Sequence, residues 1–106
     1  MVKKTDLIFA LEKFSSAVSK KIHLSALILF GSRAQGHPRK YSDVDLLVVS
    51  PDFRGKAFGR TRKLYSLWKI DLPVDFICLT PEEFEEKRGS RLNVIGIAAI
   101  SGIRIV

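Results

Sequence analysis

Three aspartates stand where apolar strands begin. Asp43 and Asp45 flank Val44 at the head of the run Val44-Asp45-Leu46-Leu47-Val48-Val49, and Asp75 is the second residue of Val74-Asp75-Phe76-Ile77-Cys78-Leu79. Both runs have the β-branched and large apolar residues of strands buried on two faces. Side chains on a strand alternate, so Asp43, Asp45, Leu47 and Val49 share one face, and Val44, Leu46 and Val48 share the other. Asp75 shares its face with Ile77 and Leu79. Taking an unpaired carboxylate out of water costs on the order of several kcal/mol, and a like charge alongside adds to the cost. A fold that gathers these three groups needs a counter-charge. Hard divalent ions supply one, and Mg²⁺ is bound through one or two carboxylates plus substrate phosphates. Each aspartate taken alone also fits a turn cap or a salt bridge at a strand end, and Ser42-Asp43 has the form of such a cap.

The rest of the chain gives these strands a setting. With 106 residues it is expected to form one domain over 1–106. Leu7, Leu11, Phe14 and Val18 recur on one helical face, with Thr5 as the expected cap. Leu24 to Phe30 reads as a buried strand that stops at Gly31. Ser32 to Gln35 reads as a helical turn closed by Gly36, and His37 to Lys40 as a loop. Pro51 to Gly59 reads as a polar, basic loop, and Arg60 to Lys69 as a helix with Leu64, Leu67 and Trp68 on one face. Thr80-Pro81-Glu82-Glu83 combines a cap, a first-turn proline and a capping-box glutamate. Arg91 to Ile100 is expected to be a helix with Leu92, Ile95 and Ala99 facing inward, stopped by Gly102. Ile103 to Val106 would be a last short strand. Alternating strands and helices predict an α/β (α+β) domain, a small mixed sheet flanked by helices.

Composition narrows the chemistry. Eighteen Lys and Arg against 11 Asp and Glu leave a net charge of +7, which fits an anionic partner or simple solubility. Six bases and no acid lie between Arg54 and Lys69, and Arg33, Arg39 and Lys40 form a second group. The lone Cys78 cannot close an intrachain disulfide or build a cysteine zinc site. It points away from the Asp75 face, so a core thiol is expected there rather than a nucleophile. No apolar run reaches membrane-spanning length, and the start of the chain lacks a signal-peptide pattern, so a cytoplasmic location is expected. His37 reads as solvated and His23 as structural, whereas Tyr41, just before the aspartate pair, is placed to touch a ligand of the site or to serve as an acceptor. The long apolar residues near the ends, among them Ile8, Phe9, Ile97 and Ile100, suit either the core or the surface of a homo-oligomer.

Gly31-Ser32 directly after an apolar strand is a second informative feature. Glycine lets the backbone approach a phosphate, and the hydroxyl beside it adds a donor. No Lys-Ser or Lys-Thr follows Gly36, so this is not a P-loop. Taken together, Leu29-Phe30-Gly31-Ser32-Arg33-Ala34-Gln35-Gly36, then Ser42-Asp43-Val44-Asp45-Leu46-Leu47-Val48-Val49, then Asp75, the chain resembles the minimal nucleotidyltransferases of the DNA polymerase β-like superfamily. The resemblance covers roughly residues 23–80 and does not depart from the motif. It implies a polymerase β-like fold. It also implies that the β- and γ-phosphates of ATP lie on Gly31 and Ser32, with Arg33 as the nearest cation. Asp43 and Asp45 would bridge two Mg²⁺ ions, and Asp75 would ligate one of them and take the proton of the acceptor hydroxyl.

The larger members of that superfamily carry further domains for base and acceptor, for which this chain has no room. The resemblance therefore implies a partner, typically a helical HEPN-type toxin that receives AMP on a tyrosine and is silenced. An alternative is an antitoxin subunit with weak or no catalysis that neutralises its partner by binding. The basic stretch Arg54 to Lys69 would contact RNA in such a complex, or the triphosphate.

Overall fold

A computed structural model describes residues 3–36, 38–39, 42–56 and 58–106. His37, Lys40 and Tyr41, named above, lie outside the described residues. The apolar face of the first helix forms as its spacing predicts: α1 spans Lys4–Ser19 and buries Leu7, Leu11, Phe14 and Val18. Thr5 is not its cap. The helix opens two residues earlier, where the extended Lys3 accepts the Leu7 N–H at 2.9 Å through its carbonyl and no side chain caps the turn.

Four strands make one mixed sheet. β1 (Ala26–Phe30) runs antiparallel to β2 (Val44–Val49), β2 parallel to β3 (Val74–Leu79), and β1 antiparallel to β4 (Ile103–Arg104), in the spatial order β3-β2-β1-β4. Between β1 and β2 the short helix α2 (Ser32–Gln35) starts after Gly31 and ends at a left-handed Gly36. One face of the sheet (Leu27, Leu29, Val44, Leu46, Val48, Phe76) packs on α1 and on Leu64 of α3 (Arg62–Leu67). The other (Ala26, Ile28, Leu47, Val49, Leu79) packs on Phe84 of α4 (Pro81–Lys87) and Ala98 of α5 (Val94–Ser101). Two helical layers explain why β2 is apolar on both faces. Among the described residues, no helix is long and apolar enough to cross a membrane.

Two elements differ from expectation for tertiary reasons. α3 is shorter at both ends. Arg60 lies outside it because its guanidinium reaches the Cys78 carbonyl and Glu83. Trp68 leaves it extended, donating its indole N–H to the Leu72 carbonyl and packing edge-on against Phe14 and Phe76. α5 starts later, after Asn93, whose side chain caps the Gly96 N–H at 2.8 Å. Leu92 is therefore outside the helix and solvent-exposed rather than inward-facing. The inward face is set by Gly96, where an added Cβ would lie 1.4 Å from the Ser90 carbonyl oxygen. α4 forms on the full capping box between Thr80 and Glu83.

Phe76 joins the layers: it stacks on Phe14 and meets Tyr65 and Trp68 edge-on. Phe76→Ala is expected to cost about 3–5 kcal/mol, read as the change in unfolding free energy in urea.

Candidate active site

Parallel pairing of β2 with β3 decides where the acids go. In the register of the two strands Asp45 is the direct partner of Asp75. Adjacent strands are roughly 4.8 Å apart, and partners in register point to the same side. That side is the one shared with Leu47, Val49, Ile77 and Leu79, at the end of the sheet where β1 finishes. Asp43 precedes Asp45 by two residues and continues the same alternation, because Val44 N–H still bonds the Pro73 carbonyl at 2.8 Å. Asp43 and Asp75 are exposed and Asp45 is partly buried. The Asp45 carboxyl is pushed above its ordinary value, first by burial, then by the charges of Asp75 and Asp43. None of the ion pairs among the described residues involves these three aspartates.

The end of β1 closes the site from the other side. Phe30 is the register partner of Asp45, and Gly31 follows it with a φ of 78°. A Cβ at Gly31 would sit 2.3 Å from Asp45 Oδ2. Glycine is thus required twice there, by backbone conformation and by the carboxylate pressed against it. Ser32 begins α2 as an exposed residue, beside the aspartates.

Arg33 takes a place that sequence alone did not reveal. It is only 3% exposed, and its Nε donates to the Ser42 carbonyl at 2.9 Å. From its buried place in α2 this bond ties the glycine turn to the chain entering β2. Ser42 is the residue sequence reasoning missed. Its carbonyl receives Arg33 and its hydroxyl receives the Arg39 N–H at 2.7 Å, so it holds the approach to Asp43. The Ser-Asp pair is the only signal of this in the sequence, and it reads as a cap. Arg39 is exposed at this mouth. His23 lies elsewhere, its N–H bonded to Asp52. Burial pushes the Cys78 thiol up to about 12, which leaves it inert.

The donor set suits a hard cation, since it offers only carboxylate oxygens. Among the described residues no three His, Cys, Asp or Glu side chains converge closely enough to hold an ion by themselves. For Mg²⁺ that is no misfit, because this ion keeps several waters and completes its shell with substrate phosphates. Asp43, Asp45 and Asp75 are the residues that would hold it.

The family model described as a nucleotidyltransferase domain matches residues 11–102. A crystal structure from Sulfolobus solfataricus, described as that of a "putative nucleotidyltransferase", is 24% identical and superposes with a TM-score of 0.64 over 78% of this chain and 75% of the other. At that identity the likeness concerns the fold. No curated protein matches the chain.

Two outcomes test the site's physics. Because the native Asp45 carboxyl is held above its unfolded value of about 3.9, its contribution to stability is full below that value and is lost as pH rises through the raised native one. In EDTA, the melting temperature of Asp45→Asn minus that of the parent is expected to grow from about pH 4 to about pH 7; a flat difference rejects charge crowding. Gly31→Ala is expected to lose about 1–3 kcal/mol from the positive-φ, extended-ψ backbone alone, measured by denaturant unfolding.

Proposed function

The chain belongs to the nucleotidyltransferase-domain family, and from that premise we propose that it transfers AMP from ATP to a hydroxyl group of an acceptor, releasing pyrophosphate. The observation that carries this reading is the register that sets Asp45 beside Asp75 with the Gly31 turn against them. Ser32 and the backbone of Gly31 receive the β- and γ-phosphates. Asp43, Asp45 and Asp75 would hold two Mg²⁺ ions together with the substrate phosphates. A pair of divalent ions supplies stabilisation of the attacking and leaving oxygens of an in-line displacement. Asp75, the exposed member on the outer strand, accepts the proton of the acceptor hydroxyl as its oxygen bonds to the α-phosphorus and the bond to pyrophosphate breaks. Arg33 and Ser42 keep the turn and Asp43 in fixed relation, which matters because phosphoryl-type transfer relies mostly on positioning and charge.

The acceptor we propose is a tyrosine of a helical HEPN-type toxin, which makes this chain its antitoxin. The outer side of α5 supports a protein partner: Val94, Ile97 and Ile100 are each about half exposed, and Leu92 just before them is almost fully so. Surfaces of contiguous apolar side chains are typical of interaction sites. The same surface favours a second reading, an antitoxin that acts by binding alone.

Incubation with labelled ATP, Mg²⁺ and the partner is expected to label the partner and release pyrophosphate. Asp43→Asn with Asp45→Asn should lower that rate by roughly 10²–10³-fold or more with folding intact by circular dichroism. If the double variant transfers at the parent rate, the site is wrong. If it loses transfer yet still neutralises the partner, binding is the main role.

A further inference from the structure

The six bases between Arg54 and Lys69 do not act as one patch, because α4 divides them. Arg54 makes a two-pronged bond to Glu82 at 2.7 and 2.6 Å. Arg60 bonds Glu83 at 2.6 Å, the Cys78 carbonyl at 3.1 Å and the Lys56 carbonyl. These two arginines anchor the loop between β2 and α3 to the domain. Arg60 first, then the Thr80 N–H, holds the Glu83 carboxyl down at about 2, so the anchor stays charged through neutral pH. Lys56, Arg62 and Lys63 are exposed and take part in no ion pair among the described residues. All three line a cleft of about 110 Å³ with an apolar floor that includes Phe53 and Leu64. The one acid of the cleft, Asp52, already accepts the His23 N–H at 2.8 Å.

Phe58 completes the arrangement. It is 92% exposed, lies between Lys56 and Arg62 in the sequence, and adjoins Gly59 of the cleft, whose φ is 78°. A phenylalanine left in water forgoes the burial that its size otherwise brings. An aromatic face interleaved with unpaired cations is the pattern that binds single strands, with bases stacked on the ring and phosphodiesters on the charges.

We infer that the loop 54–63 is a binding site for single-stranded nucleic acid, with phosphodiester groups against Lys56, Arg62 and Lys63 and a base on Phe58. The site is separate from the aspartates. It leaves β2 beyond Val49, and the four residue steps from Asp45 to Val49 cover about 13 Å of strand. An acidic polypeptide would satisfy the cations but would offer Phe58 no flat partner, whereas every nucleotide offers a charge and a ring together.

The test is fluorescence anisotropy of the full chain with a short labelled oligouridylate, its oligodeoxythymidylate counterpart, and a polyglutamate of equal charge as competitor, at rising KCl. The expected slope of log affinity against log salt is about −2, three phosphates at roughly −0.7 each. Phe58→Ala is expected to weaken binding roughly 5- to 150-fold without changing the slope. Lys56→Gln with Lys63→Gln should remove about 1.4 from the slope. Tighter binding of either oligonucleotide supports the site and identifies its sugar. The inference is overturned if neither oligonucleotide binds at low salt. It is also overturned if Phe58→Ala changes nothing while polyglutamate competes equally, the behaviour of a surface for acidic protein. Nucleotidyl transfer by Phe58→Ala should equal that of the parent, so failure here and failure of the transfer reaction are read separately.

Discussion

Mutual repulsion of three carboxylates is the constraint the site is built around. It would push β2 and β3 apart at Asp45 and Asp75 if pairing there depended on local contacts. It does not, because the strands are locked further along. Leu46 to Val49 are all at most 2% exposed, and the two helical layers hold them from both sides. A slip of one residue would turn every side chain to the opposite layer. It would send Asp75 toward Phe14 and Trp68 and bring Phe76 out. The aromatic group that fixes Phe76 therefore also fixes the direction of its neighbour Asp75. Core packing on one face determines chemistry on the other.

The second half of the site rests on a different device. The Gly31 turn is held against Asp45 by absence of a side chain, and the chain that brings Asp43 is held by Arg33 through Ser42. A buried arginine needs partners for its charge and its donors. Placing one in α2 couples a four-residue helix, too short to be stable alone, to the entry of β2. Cation and turn are thus structural support for the acids, and the open mouth keeps Ser32 and Arg39.

The readable and unreadable parts of this chain divide on physical grounds. β2 and β3 were legible to the residue because alternation and β-branching are local signals, and the α4 start was legible because Thr80, Pro81 and Glu83 act on one another within a single turn. The likeness of residues 29–49 to a nucleotidyltransferase motif was legible because it joins a glycine-serine phosphate turn to a pair of acids at fixed spacing, and a purely structural turn needs no such pair. What stayed hidden depends on partners distant in sequence. Leu92 has the spacing of a core residue, but the Asn93 cap starts α5 after it and leaves it in water, while Ile95 and Ala99 pack inward as their spacing predicts. Arg60 has the setting of a helical residue, and Glu83, on another element, draws it out. Arg33 has the chemistry of a phosphate ligand, and composition cannot reveal which way a side chain faces.

Charge distribution follows the same logic. A chain with 18 Lys and Arg has ample means to neutralise three aspartates, yet among the described residues its ion pairs are Arg54–Glu82, Arg60–Glu83 and Arg88–Glu85. All of them engage α4, none the aspartate face. The basic loop leaves the sheet at the far end of β2, where its cations are too distant to relieve Asp45. Were an arginine ion-paired with the acids, the native state would gain stability and the carboxylates would lose their need for an outside cation. With no ion pair among the described residues reaching it, the Asp45 carboxyl stays raised. That unrelieved charge is what an outside divalent cation can satisfy and the folded chain by itself does not.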